Sequence, residues 1–157
     1  MGAAPRAEDD GPVTVHQAHP SRRLDEAAVR AAVARVLDGE GSTAADLSVV
    51  LADHATVRAL HRDWLGRDVD TDVVSFPLDD DAPARRVVDG EVYVDLDTAA
   101  ERAPEFGGSF EAEALRYVVH GLLHLLGYDD ATDAERAEMR RLEDRYLRAG
   151  EREPDAR

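Results

Sequence analysis

From Tyr117 to Tyr128 the chain reads YVVHGLLHLLGY, an apolar run that carries two histidines, His120 and His124. Leu115, Val118, Val119, Leu122 and Leu126 recur at helical spacing through it. The spacing predicts a long helix with one strongly apolar face. Ser109 opens that helix, and Gly127 is placed as its C′ stop. A helix so apolar must lie against a core, and the rest of the chain has to supply one. Aromatic residues make up only 5% of the 157 residues, so the core rests on Val, Leu and Ala. Cysteine is absent, which excludes disulfides, thiolate metal sites and a cysteine nucleophile.

The remaining segments predict alternating strands and helices in one domain, at residues 12–148. Val13–Gln17 reads as a first strand. Asp25–Leu37 follows as a helix with a Val29, Val33, Val36 stripe, ended by Gly39 and Gly41. Leu47–Ala52 reads as a buried strand, and Asp53 caps a helix carrying Val57, Leu60 and Trp64. Val73–Phe76 and Glu91–Leu96 read as two more strands, the second alternating in period two. A short helix, Asp97–Arg102, ends at Pro104. Thr132-x-x-Glu135 is a capping-box pattern that starts a last helix, with Met139, Leu142 and Tyr146 as its buried stripe. Residues 1–11 read as a disordered acidic tail and residues 149–157 as a charged one. The expected fold is α+β: a mixed sheet of about four strands covered by helices, with the two longest helices last.

His120 and His124 stand four residues apart on the predicted long helix, so they project from one face. At that spacing on an exposed face, two histidines are ordinary solvated residues. These sit in an apolar stretch, where imidazoles need partners, and a shared metal ion is one economical answer. Asp130, just past the turn at Gly127, is positioned to complete a set of three ligands. Three protein ligands leave a position open for water, the pattern of a catalytic rather than a structural zinc site. Gly121 stands where a zinc protease of the H-E-x-x-H type has its glutamate base, so the protease reading lacks its base. No nucleophile elbow, phosphate-binding loop or dinucleotide fingerprint is present. His16, His19 and His54 have no partner at a telling spacing and read as ordinary.

The segment HGLLHLLGYDD, His120–Asp130, resembles the HGxLHLxGYDH signature of the YbeY family. A second block, TDVVSFP at Thr71–Pro77, resembles that family's TDVLSFP, and the strand after the acidic loop matches as well. The resemblance covers about Asp53–Leu147. It implies a bacterial single-strand endoribonuclease. Such an enzyme acts in ribosomal RNA maturation, notably at the 16S 3′ end, and in ribosome quality control. It also implies one zinc ion per chain and the small ribosomal subunit as partner. His120 and His124 carry over as the first two ligands and as catalytic residues, and the third falls on Asp130. There the family has histidine. An aspartate is shorter, so either the backbone moves in or the ligand is lost, and a metal other than zinc becomes possible. Asp129, the family's own aspartate, competes for the role. Leu65 falls where members carry an arginine thought to help catalysis. Arg62 is the catalytic candidate in its place, with Arg67 as the other. Arg58, Arg67 and Ser75 are the candidate substrate contacts, Ser75 with the alternative of a hydrogen bond beside the metal helix. His61 replaces the family's asparagine.

A non-catalytic ribosome-assembly factor and a zinc hydrolase of some other ester or amide are the competing readings. The first would keep ribosome association without His124. No signal peptide and no apolar stretch long enough for a membrane helix is visible, so the expected location is the cytoplasm. The formal net charge is −15, and all nineteen basic residues are arginine. So acidic a chain repels nucleic acid at long range and needs a local basic groove to hold RNA. Arg58, Arg62, Arg67, Arg85 and Arg86 are candidates for one. The acidic, lysine-free composition also suggests a high-salt cytoplasm, where screening over a few ångströms blunts self-repulsion. The thermal midpoint should then fall as salt is removed. A midpoint unchanged in dilute buffer, followed by circular dichroism, would refute the high-salt origin.

Overall fold

The computed structural model describes residues 11–65, 73–77 and 87–152. Its elements, in order, are β1 (Val13–Gln17), α1 (Glu26–Glu40), β2 (Thr43–Ala52), α2 (His54–Leu65), β3 (Val73–Pro77) and β4 (Val87–Asp95). Then come α3 (Leu96–Arg102), a 3-10 turn (Ala103–Phe106), α4 (Phe110–Leu125) and α5 (Asp133–Arg152). β1, β2 and β4 run parallel, and β3 lies antiparallel along the far side of β4. The chain is a single α+β domain.

Alternation along the strands divides the sheet into two faces. Leu47, Val49 and Leu51 of β2, with Val88, Val92 and Val94 of β4, point into the main core and are fully buried. α1 and α4 supply the opposing side, through Val29, Val33 and Val36 and through Val118, Leu122 and Leu125. α5 packs on α1 and α4 with Met139, Leu142 and Tyr146, as its stripe predicts. The other face carries Val50 and Tyr93 and is met by Val57 of α2.

Capping residues define the helix ends. Asp25 caps α1 by accepting from the Ala27 amide at 3.1 Å. Ser109 caps α4 through the Ala112 amide at 3.0 Å. Thr132 and Glu135 form the reciprocal box at the start of α5: the Glu135 amide donates to Thr132 Oγ1 at 3.1 Å, and the Thr132 amide to Glu135 Oε1 at 3.0 Å. At the end of α4, Gly127 adopts φ 104°. Its amide bonds the His124 carbonyl and the Tyr128 amide bonds the Leu123 carbonyl, both at 3.0 Å, the double bond of a Schellman stop.

Several boundaries differ from the sequence reading. β2 begins at Thr43 rather than Leu47. Its first residues pair with Val87–Asp89 across a bulge between Ala44 and Asp46, but they are mostly exposed and carry no apolar alternation. β4 begins at Val87 for a different reason: Asp89 and Gly90 look like turn residues yet pair with β2. Pro104 does not end the helical path but starts the 3-10 turn, where its missing N–H costs nothing. α1 runs through Gly39 to Glu40, and α5 runs to Arg152, past the residue 148 boundary.

His19 and His54 are not ordinary. His54 Nδ1 lies 2.6 Å from Oδ2 of the fully buried Asp95. His19 Nε2 lies 2.8 Å from Asp97 Oδ1, which also takes Arg22 at 2.6 Å. Burial alone would raise the Asp97 pKa. The His54 amide, His19 and Arg22 outweigh it and hold the carboxyl below its usual range. The pairs join α2 and the segment after β1 to the start of α3. Sequence separations of 41 and 78 residues conceal them.

Gly121 lets α4 approach the sheet. A Cβ there would come 2.6 Å from Val92 Cγ1 and 3.0 Å from Ser75 Oγ. Overpacking of this kind costs about 1–3 kcal/mol. Gly121→Ala should therefore lower the thermal midpoint by several degrees, and an unchanged midpoint would contradict the close packing.

Candidate metal centre

α4 presents His120 and His124 on one side of its last turns, with ring centroids 4.6 Å apart and nearly perpendicular planes. The Schellman stop turns the chain back beneath them and brings in Asp130. The two Nε2 atoms lie 3.0 Å apart. Asp130 Oδ2 is 3.3 Å from His120 Nε2 and 3.4 Å from His124 Nε2. Zinc takes imidazole nitrogen and carboxylate oxygen at about 2.0–2.2 Å, so neighbouring vertices of its tetrahedron fall about 3.3–3.5 Å apart. The two distances to Asp130 match that spacing and the Nε2 pair, at 3.0 Å, is slightly tighter, so the residues fit a divalent cation with a small opening of the two rings. The shorter aspartate is thus accommodated by the path of the turn. The cluster takes Asp130, and Asp129 is exposed and outside it.

A carboxylate absent from the sequence reading stands behind the cluster. Glu143 of α5 places Oε2 2.6 Å from His120 Nδ1. A carboxylate only accepts, so Nδ1 donates, and in the neutral ring the Nε2 lone pair faces the cluster. Glu143 is itself held by Arg116, whose guanidinium donates to Glu143 Oε1 at 2.9 Å and to Asp144 Oδ1 at 2.8 Å. Burial opposes the Arg116 charge, but the bonds to Asp144 and Glu143 prevail and raise its pKa. The Glu143 side chain is 6% exposed and that of Asp130 41%. The centre is therefore closed on the α5 side and open beside Asp130, where a fourth ligand has room.

A groove of about 950 Å³ opens from the cluster between α1 and α5, with His120 and Asp130 in its lining. Arg35, Arg102, Arg116, Arg136 and Arg140 contribute to it, beside Glu111 and Glu113. These arginines come from α1, α3, α4 and α5, so no run of basic sequence announced them. Of the arginines chosen from the sequence, the two described ones lie elsewhere. Arg58 and Arg62 are exposed on α2, and Arg62 Nε bonds Asp63 at 3.1 Å. Arg67, Arg85 and Arg86 lie outside the described residues, as do Thr71 and Asp72. Ser75 donates to the Gly121 carbonyl at 3.0 Å, so it clamps α4 to β3. His61 is buried on α2.

Comparison with known proteins agrees with this arrangement. A family model described as Endoribonuclease YbeY matches residues 14–151. A protein of Salinibacter ruber named Endoribonuclease YbeY is 53% identical over 143 residues, spanning 88% of this chain and 91% of its own. One of Chlorobium phaeovibrioides with the same name is 45% identical over 127 residues, spanning 81% and 83%. The solution structure of a Thermotoga maritima protein, 29% identical, matches with a TM-score of 0.62 over 92% of this chain and 93% of that one. The chain belongs to the YbeY endoribonuclease family.

Proposed function

We propose that this chain is a metal-dependent endoribonuclease that cleaves single-stranded RNA in ribosomal RNA maturation, notably at the 16S 3′ end, and in ribosome quality control. The observation that carries the reading is the convergence of His120, His124 and Asp130, whose ligand atoms lie 3.0–3.4 Å apart. Zinc is the ion these nitrogen and oxygen donors suit best, and the carboxylate leaves room for a harder divalent cation. A cation bound there supplies Lewis acidity towards a phosphoryl oxygen and lowers the pKa of water.

The chain's own residues do the rest. Glu143 orients His120, and the open side beside Asp130 admits the scissile phosphate. The arginine-bearing groove leading from His120 and Asp130 holds the strand on one side, its guanidinium groups offering phosphate contacts between the carboxylates. Arg62 is the candidate for the arginine missing at Leu65. Its pairing with Asp63 is between two exposed groups, and such a pair contributes only about 0–1 kcal/mol, so a phosphate can replace it. Arg58 and Arg67 are further candidates for substrate contact. Among the described residues no helix is long and apolar enough to cross a membrane, which accords with work on ribosomes in the cytoplasm. The small ribosomal subunit is the proposed partner.

Metal content by mass spectrometry and RNA cleavage, both in high salt, test the reading. About one zinc per chain should be found and should be lost in Asp130→Ala. A chelator, or His124→Ala, should abolish cleavage. Little metal in the unmodified protein, with ribosome association retained in His124→Ala, would favour a non-catalytic assembly factor instead.

The groove makes a separate prediction. On a His124→Ala background that binds without cutting, Arg140→Glu should weaken the binding of fluorescently labelled single-stranded RNA. It should also reduce the salt slope of log K by about 0.7 for each phosphate that is no longer neutralised. Equal anisotropy titrations for both proteins would place the RNA elsewhere.

A further inference from the structure

Asp130 is the one member of the metal cluster outside a helix, so something other than the α4 ladder must hold it. The segment that bears it is tied at two places. Arg136 of α5 donates to the carbonyls of Asp130 at 3.3 Å and Ala131 at 2.9 Å. Tyr128, two residues before Asp130, sends its hydroxyl across to α1, where it donates to Glu40 Oε1 at 2.6 Å.

Glu40 is prepared for that bond. Its other oxygen, Oε2, accepts the hydroxyl of Tyr146 from α5. Burial first, and then the Glu40 carboxylate, raise the Tyr146 pKa, so that hydroxyl remains a donor. The Tyr146 ring in turn requires Gly39, since a Cβ there would lie 2.4 Å from its Cε1. Arg35 Nε donates to the Tyr146 carbonyl at 2.8 Å and closes the same junction. The carboxylate is thus held at a point where α1, α5 and the ligand-bearing turn meet.

We propose that Glu40 is a positioning residue for the metal centre, acting through the Tyr128 hydroxyl to hold the turn that presents Asp130. The inference rests on the metal reading above and deepens it. Aspartate reaches less far than the histidine of the family pattern, so its oxygen meets the cluster only if the turn is held close. A hydrogen bond from Tyr128 to a fixed carboxylate supplies that constraint from 88 residues away in sequence.

Co2+ binding, read by its visible absorption and by competition with a chromophoric chelator, tests this without any RNA. Tyr128→Phe keeps the ring and removes only the hydroxyl, and Glu40→Leu keeps the bulk and removes both acceptor oxygens. Each should weaken Co2+ binding about tenfold, the lower end for outer-shell partners of a metal site. The double variant should be no weaker than the Glu40 variant alone, since the Tyr128 hydroxyl then has no acceptor left to lose. In an Asp130→Ala background, where only the weak Co2+ binding of the two histidines is left to titrate, Tyr128→Phe should have no further effect on it. A merely structural role would lower the thermal midpoint of the metal-free protein yet leave Co2+ affinity and spectrum unchanged, and that result overturns the proposal. So does an equal effect of Tyr128→Phe with and without Asp130. If the unmodified protein takes up no Co2+, the metal reading itself fails and this inference falls with it.

Discussion

Close contact between α4 and the sheet governs the geometry of this protein. It exists because Gly121 has no side chain, which lets Val92 and Val73 come up to the helix and lets Ser75 donate to the Gly121 carbonyl. His120 directly precedes that contact, and His124 follows it by less than one turn. The imidazoles therefore stand on a helix whose position against β3 and β4 is set by direct packing and a hydrogen bond. A site on so rigid an element keeps its spacing without help from the ligand. The same glycine removes the protease base of the H-E-x-x-H pattern, so one residue serves packing and separates this chemistry from peptide cleavage.

Around this helix the charged groups form layers. Arg116 holds Glu143, Glu143 holds His120, and His120 faces Asp130 and His124. Removing charge from water is costly unless each buried ionic group has a partner, and every link in this chain supplies one. The layering also decides which side is open. The α5 side is closed by Glu143, and the Asp130 side meets solvent and the groove. In a protein with net charge −15, arginines from four helices meet along one groove, interleaved with Glu111, Glu113 and Glu143.

Much of this was legible in the sequence. The 3.6-residue period over Leu115–Leu126, the serine cap, the Gly127 stop and the capping box at Thr132 all appear in the structure where the pattern puts them. The three ligand candidates were legible too, because four-residue spacing on a helix followed by a glycine stop is local geometry. The pairs of His19 and His54 with Asp97 and Asp95 were not. Neither were Glu143 behind His120, Glu40 beneath Tyr128, or the groove arginines. Each of these joins residues far apart in the chain, and no period or motif links them. The starts of β2 and β4 escaped for other reasons: that of β2 is exposed and held by backbone pairing, and that of β4 carries Asp89-Gly90, a turn-like pair, inside a paired strand.

The sequence by itself determined the local structure: where helices start and stop, which faces are apolar, and which side chains can share a cation. These depend on interactions within a few residues, which a linear pattern records. Only the tertiary structure decided which carboxylate orients His120, how a short aspartate reaches the cluster, and which arginines line the groove. Those follow from how α1, α4 and α5 pack together, and that packing depends on contacts up to 111 residues apart.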